Sequence, residues 1–131
     1  ANLVLAGLDV THQFMMGRGR IAQVRALGTR TAEFSADLLD YFAAAYGRSY
    51  GGTPQGPLHD PCSVLAVTDP ELFESEPRHV VVECAGEHTR GMTVIDRRTG
   101  SRVPEPNARV LTNIDDEAAF QILMDALGAS R

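Results

Sequence analysis

No run of the chain approaches the roughly 18 consecutive apolar residues of a membrane-spanning helix, so no span and no membrane partner are expected. A positively charged leader followed by a short apolar core, the signature of a secretory signal, is also missing. Basic clusters are absent too. With 12 Lys plus Arg against 17 Asp plus Glu the formal net charge is -5, whereas phosphate binding needs concentrated positive charge. Nucleic acid is therefore not an expected partner. Cysteine is scarce: Cys62 and Cys84 cannot build a disulfide framework, and both read as reduced thiols of a cytoplasmic protein. There are no internal repeats and no low-complexity tract. What remains is ordinary globular chain, 131 residues at 44% hydrophobic and 22% charged, one domain's worth of sequence.

That chain opens mid-pattern. Ala1 leads directly into Asn2-Leu3-Val4-Leu5-Ala6-Gly7-Leu8-Asp9, an apolar run closed by Gly and Asp, which predicts a buried parallel strand. Such a strand needs neighbours and covering helices on both faces. The expectation is that residues 1–131 are the C-terminal part of a larger α/β domain.

Further along, Thr11 is placed to cap a short helix, and Gly17 and Gly19 weaken the region around Arg18. Thr29 or Thr31 starts a strong helix with Phe34, Leu38, Tyr41, Phe42 and Ala45 on one apolar stripe. Gly47 is its expected stop, which leaves Tyr46 at the helix end and Tyr50 in the loop. A glycine- and proline-rich loop runs to Leu58. Asp60-Pro61 before the apolar run Cys62–Val67 predicts a helix start, with aspartate as cap and proline at the first helical position. Asp69-Pro70-Glu71 starts a further short turn. Val80–Val82, Met92–Ile95 and Arg109–Ile114 are strand candidates, with Arg97–Arg102 as a charged connection. Asp115-Asp116-Glu117 then places negative charge ahead of a helix carrying Phe120, Leu123, Met124 and Leu127. The order is that of an α/β domain's tail with a small appended sheet.

The candidate chemistry concentrates at His59-Asp60-Pro61. Asp60 reads either as a helix cap or, beside His59 and a glycine-rich approach, as a metal ligand. His59 reads as a surface histidine or as a proton donor, since an imidazole titrates near neutral pH. Asp69 lacks such a neighbour and reads as a cap. His12, His79 and His88 show no metal-ligand spacing and read as structural or solvated. Tyr46 and Tyr50, four apart around a helix end, read as packing on a helix face or as an aromatic flap over a planar ligand. Arg18 and Arg90 read as solvated charges.

Four phrases carry a resemblance. Leu8-Asp9-Val10-Thr11-His12-Gln13 is followed by Pro57-Leu58-His59-Asp60-Pro61-Cys62, then Gly86-Glu87-His88-Thr89-Arg90-Gly91-Met92-Thr93-Val94, then Pro106-Asn107-Ala108-Arg109-Val110. In this order they resemble the C-terminal part of the inosine–uridine-preferring nucleoside hydrolases. The resemblance implies an open, mostly parallel sheet with helices plus a small additional sheet. It implies hydrolysis of the N-glycosidic bond of ribonucleosides and a homo-oligomer. Calcium is the implied cofactor, with Asp60 as a ligand. His59 would assist departure of the base, and Tyr50 and, more loosely, Tyr46 would flank it.

One departure stands out: the family's N-terminal aspartate cluster, Asp-Thr-Asp-Pro-Gly-x-Asp-Asp, has no match here. That cluster supplies further calcium carboxylates and the base that activates water. Calcium takes six to eight oxygens, so one carboxylate is not enough. The chain alone is expected to be inactive. An alternative of another class is a non-catalytic assembly or ligand-sensing module that kept the scaffold. The sequence upstream of Ala1 would separate the two.

Overall fold

A computed structural model describes residues 2–100 and 103–130; Ala1 at the opening of the expected strand and Ser101-Arg102 of the charged connection lie outside them. The chain runs from β1 (Val4–Leu5) into α1 (Leu8–Thr11), then β2 (Met15–Gly17), α2 (Arg18–Ala26) and α3 (Arg30–Tyr50). It continues through β3 (Gln55–Pro57), α4 (His59–Thr68), a 3-10 turn (Pro70–Leu72) and β4 (Phe73–Arg78). β5 (Val80–Val82), β6 (Thr93–Ile95), β7 (Ala108–Ile114) and α5 (Asp116–Ala129) complete it.

The class is α/β. The sheet order is β1-β7-β4, with β1 parallel to β7 (Val4 opposite Arg109) and β4 antiparallel to it (Phe73 opposite Ile114). The three-stranded sheet is thus mixed. β5 and β6 form the appended antiparallel pair, and β2 pairs antiparallel with β3. β4 has no counterpart among the expected strands because Phe73-Glu-Ser-Glu-Pro-Arg carries three charges and a proline. Its position explains both: among the described residues β4 is the edge strand of this sheet, where Pro77 breaks no ladder, Glu74 is exposed, and the half-buried Arg78 pairs with Glu76.

The core gathers Val10, Phe14, Met16, Ile21, Val24, Cys62, Leu111, Ile114 and Phe120. Arg20 fastens α2 to α5: its guanidinium lies over Phe120, 4.9 Å from the ring centroid, and reaches Asp116 and Glu117, each at 2.8 Å. Asp115 caps α5 by accepting from the Ala118 N–H, and Asp116 and Glu117 put the expected negative charge in its first turn.

Several expectations need correction. The opening strand pairs in parallel with β7 as expected, but among the described residues it is short, Val4–Leu5, and Leu3, Val4 and Leu8, the last already in α1, are exposed. α2 forms despite Gly17 and Gly19, since Gly17 sits outside it in an extended conformation and only Gly19 is helical. Thr29 does cap α3, accepting from the Ala32 N–H, but Gly47 does not end it. The helix runs on to Tyr50 and stops at Gly51, whose φ of 67° is left-handed. Gly47 is helical because the chain folds back on it: a Cβ there would lie 2.8 Å from the Thr53 carbonyl oxygen. Tyr50 is accordingly the last helical residue, not a loop residue.

The apolar stripe of α3 also faces the other way. Ala32, Ala36, Ala43 and Gly47 are buried, a face of small residues that lets the helix approach closely, while Phe34, Leu38, Tyr41 and Phe42 are exposed. Asp60 and Asp69 both lose their expected capping role. Asp60 lies inside the first turn of α4 after Leu58, and no side chain caps either that helix or the 3-10 turn after Asp69. Asp69 accepts the Thr68 hydroxyl instead, at 2.5 Å.

Candidate functional site

α4 begins where β3 ends, and its first residue is His59. The entry is fixed by the backbone: the Leu58 N–H donates to the Phe14 carbonyl at 2.9 Å, and the buried Cys62 thiol donates to the Leu58 carbonyl at 3.1 Å. This ties the start of α4 to the segment just after α1. Across that junction the His59 ring nitrogen Nδ1 lies 2.8 Å from the hydroxyl of Thr11. Thr11 is therefore no helix cap. It ends α1, is 2% exposed, and is the one buried polar residue among those described.

The next residue, His12, completes a second contact. Its ring lies 5.4 Å from that of His59, and its Nε2 is 3.2 Å from the Tyr46 hydroxyl. Tyr46 in turn stacks on Tyr50, with centroids 4.4 Å apart and planes 24° from parallel. Because α3 continues through Tyr50, the two tyrosines share one helical face and leave their outer side to solvent. A continuous run of contacts thus joins Thr11, His59, His12, Tyr46 and Tyr50, with the exposed Asp60 carboxylate beside His59 at the same helix end. A depression of about 310 Å³ borders His59 and Asp60, walled by Leu38, Leu39, Phe42 and Pro57.

α1 is anchored by Gln13, whose amide nitrogen donates to the Asp9 and Thr112 carbonyls at 2.9 and 3.1 Å. Its carbonyl oxygen accepts from the Ile114 N–H at 3.4 Å, which fastens α1 to β7. Reading Thr11 as a cap and His12 as structural or solvated missed their joint position. The signal was Val10-Thr11-His12-Gln13 itself, where a four-residue helix leaves each of three polar side chains a different partner.

The other singled-out residues stay apart from this edge. His79 Nδ1 bonds the Glu105 carbonyl at 2.9 Å, and His88, Arg18 and Arg90 are exposed. Cys62 is buried and Cys84 exposed, both as free thiols, and burial pushes the Cys62 thiol up from its ordinary pKa. As a metal centre the edge is incomplete. Asp60 is one carboxylate, and among the described residues no three His, Cys, Asp or Glu side chains gather around a common point. The chain by itself does not fit calcium.

The family model for inosine-uridine preferring nucleoside hydrolases matches residues 1–121. The chain belongs to this family. Among curated hydrolases of this type, the pyrimidine-specific ribonucleoside hydrolase RihA of Shewanella woodyi is 40% identical over 125 residues, covering 95% of the chain and 40% of that enzyme. The protein of the same name from Escherichia coli K12 is 39% identical over 127 residues, again over 95% and 40%. The chain thus spans about two-fifths of the length of these curated hydrolases.

Solved nucleoside hydrolases share the fold of these residues. A purine-preferring ribonucleoside hydrolase from Gardnerella vaginalis superposes with a TM-score of 0.81 at 29% identity, over 98% of the chain and 40% of that enzyme. The plant nucleoside hydrolase PpNRh1, at 20% identity, shares the fold with a TM-score of 0.83 over 99% of the chain and 42% of its own. No helix among the described residues is long and apolar enough to cross a membrane.

Proposed function

We propose that the protein containing these residues hydrolyses the N-glycosidic bond of ribonucleosides, with pyrimidine nucleosides as the preferred class. Family membership supports the reaction, and the names of the 39–40% identical hydrolases support the base preference. The single observation that carries the local reading is His59 at the mouth of α4, held through Nδ1 by Thr11 and adjoining the Tyr46–Tyr50 stack.

In the reaction the bond between C1′ and the base nitrogen breaks, and its electron pair stays with the base. Positive charge develops on the ribose, and water adds to C1′. A leaving base is a poor anion, so a proton delivered to it lowers the barrier. His59 supplies that proton from Nε2. Tyr46 and Tyr50 give the base a flat aromatic wall, where stacking favours a planar ring.

In the complete protein Asp60 would contribute one of the six to eight oxygen ligands that a calcium ion takes, and the ion would activate the attacking water. The 131 residues alone are therefore inactive. The complete protein works in the cytoplasm in nucleoside salvage as a homo-oligomer, in keeping with two free thiols and the exposed apolar face of α3.

The test is release of free base from uridine, cytidine and inosine by the complete protein, followed by chromatography. Faster release from uridine and cytidine, lost in Asp60→Ala together with bound calcium, is expected. No release from any nucleoside would overturn the reaction, and faster release from inosine the base preference. Turnover by the 131-residue chain alone, proportional to its concentration and surviving repurification, would overturn the division of ligands.

A further inference from the structure

We infer that Thr11 is a positioning residue for the proton donor: its hydroxyl fixes the His59 ring so that Nε2 is presented to the base throughout proton transfer. This rests on the proposed hydrolase reading. Thr11 is 2% exposed, and its Oγ1 lies 2.8 Å from Nδ1. A buried hydroxyl requires a partner, and none of the described buried side-chain oxygens or nitrogens lacks one. With Nδ1 engaged, Nε2 lies on the far side of the ring. Among the described residues the His59 side chain makes no other hydrogen bond.

The chemistry favours a hydroxyl at this place. In the imidazolium, Nδ1–H donates to Thr11 Oγ1. When the Nε2–H bond breaks and its proton passes to the base, the neutral ring keeps Nδ1–H and the same bond. Solvent returns the Nε2 proton afterwards. A neutral ring protonated instead at Nε2 would take the hydroxyl proton at Nδ1, because threonine both donates and accepts. Ring orientation is thus held in every protonation state. The hydroxyl is itself held firmly: Thr11 N–H donates to the Gly7 carbonyl at 3.0 Å, and Gln13 fastens the same helix end to β7.

The test uses the complete protein with Thr11→Val, which keeps shape and removes the hydroxyl, and Thr11→Ser, which keeps the hydroxyl. Uridine needs its leaving base protonated; 4-nitrophenyl riboside does not. Thr11→Val should lower kcat on uridine about tenfold or more with KM within about twofold, a fraction of what a general acid supplies. On the nitrophenyl riboside it should be near wild type, and Thr11→Ser should restore most of the uridine rate. Equal losses on both substrates, or no loss, would overturn the inference. If Thr11→Val does not fold, Thr11→Ala repeats the comparison without overpacking the site. Ring-nitrogen NMR of histidine-labelled protein reads the bond apart from activity: the His59 Nδ1 resonance should move in Thr11→Val and stay in Thr11→Ser. A moved resonance with no nucleoside hydrolysis by wild type would overturn the hydrolase reading and leave the hydrogen bond standing.

Discussion

Tyr46 and Tyr50 stack on each other across the last turn of α3, and among the described contacts only Tyr46 is tied to the His12–His59 pair, through His12 Nε2 at 3.2 Å. The two rings should therefore respond differently to substitution in the complete protein. Tyr50→Ala removes an exposed aromatic face and should raise KM about three- to tenfold with kcat little changed, as for a lost stacking contact of about 1 kcal/mol. Tyr46→Phe keeps the stack and loses the hydroxyl to His12, so its effect should be smaller and should vanish in a His12→Ala background. Steady-state kinetics of the two single variants and the double variant checks this.

His59→Ala in the complete protein should lower kcat on uridine by about 100-fold or more, the scale of general acid catalysis, with KM nearly constant. The nitrophenyl riboside should be cleaved almost normally. Equal losses on both substrates, measured side by side, would make His59 a structural residue of the α4 entry.

Gly47→Ala tests why α3 does not stop where glycine suggests. A Cβ would stand 2.8 Å from the Thr53 carbonyl oxygen and 3.2 Å from Pro54 Cα, both backbone atoms that cannot swing away. Overpacking of this kind costs about 1–3 kcal/mol, more than the helix-propensity gain of about 1 kcal/mol. Gly19→Ala in α2, with nothing within 4 Å of its added Cβ, should stabilise by about 0.5–1 kcal/mol instead. Urea midpoints of the two variants should move in opposite directions.

Thiol chemistry should separate the two cysteines. Cys84 is exposed, whereas Cys62 is buried, donates to the Leu58 carbonyl, and has its pKa raised by desolvation. Thiolate is the reacting form, so at pH 8 a disulfide reagent should modify Cys84 promptly and Cys62 only on unfolding. Absorbance traces should show one fast equivalent, and a second after denaturant is added.

The 131-residue chain should self-associate. Phe34, Leu38 and Tyr41 are 64%, 54% and 75% exposed along one side of α3, a continuous apolar surface of the kind that draws a partner. Light scattering should report a mass above 14.2 kDa that rises with concentration, and Phe34→Glu with Leu38→Arg should lower it.

Much of this architecture is legible in the sequence where local rules act alone. The acidic run Asp115-Asp116-Glu117 marks the start of α5, Thr29 gives the α3 cap, and Val80–Val82 gives its strand. Legibility fails where a distant segment decides. Gly47 is a glycine inside the helix because Thr53 and Pro54 pack against it, and α3 turns its alanines rather than its large apolar residues inward. β4 is hidden by Pro77 and its charges, which only an edge position tolerates. At the site, His59 and Asp60 announce themselves as a motif. Thr11 and His12 do not, because their partners lie 48 and 34 positions away.

The central place of β7 sets an order of events on the ribosome. Val4 pairs with Arg109, so among the described residues β1 gains its hydrogen-bonded neighbour no earlier than the emergence of residues 108–114. Closing a loop of that length carries an entropic cost that local contacts do not share, and such long-range pairings fold late. Helices α1 to α4 can collect around Phe14 and Cys62 while synthesis continues, whereas this sheet waits for β7. Loss of residues 108–114 would thus leave β1 and β4 without the strand that joins them.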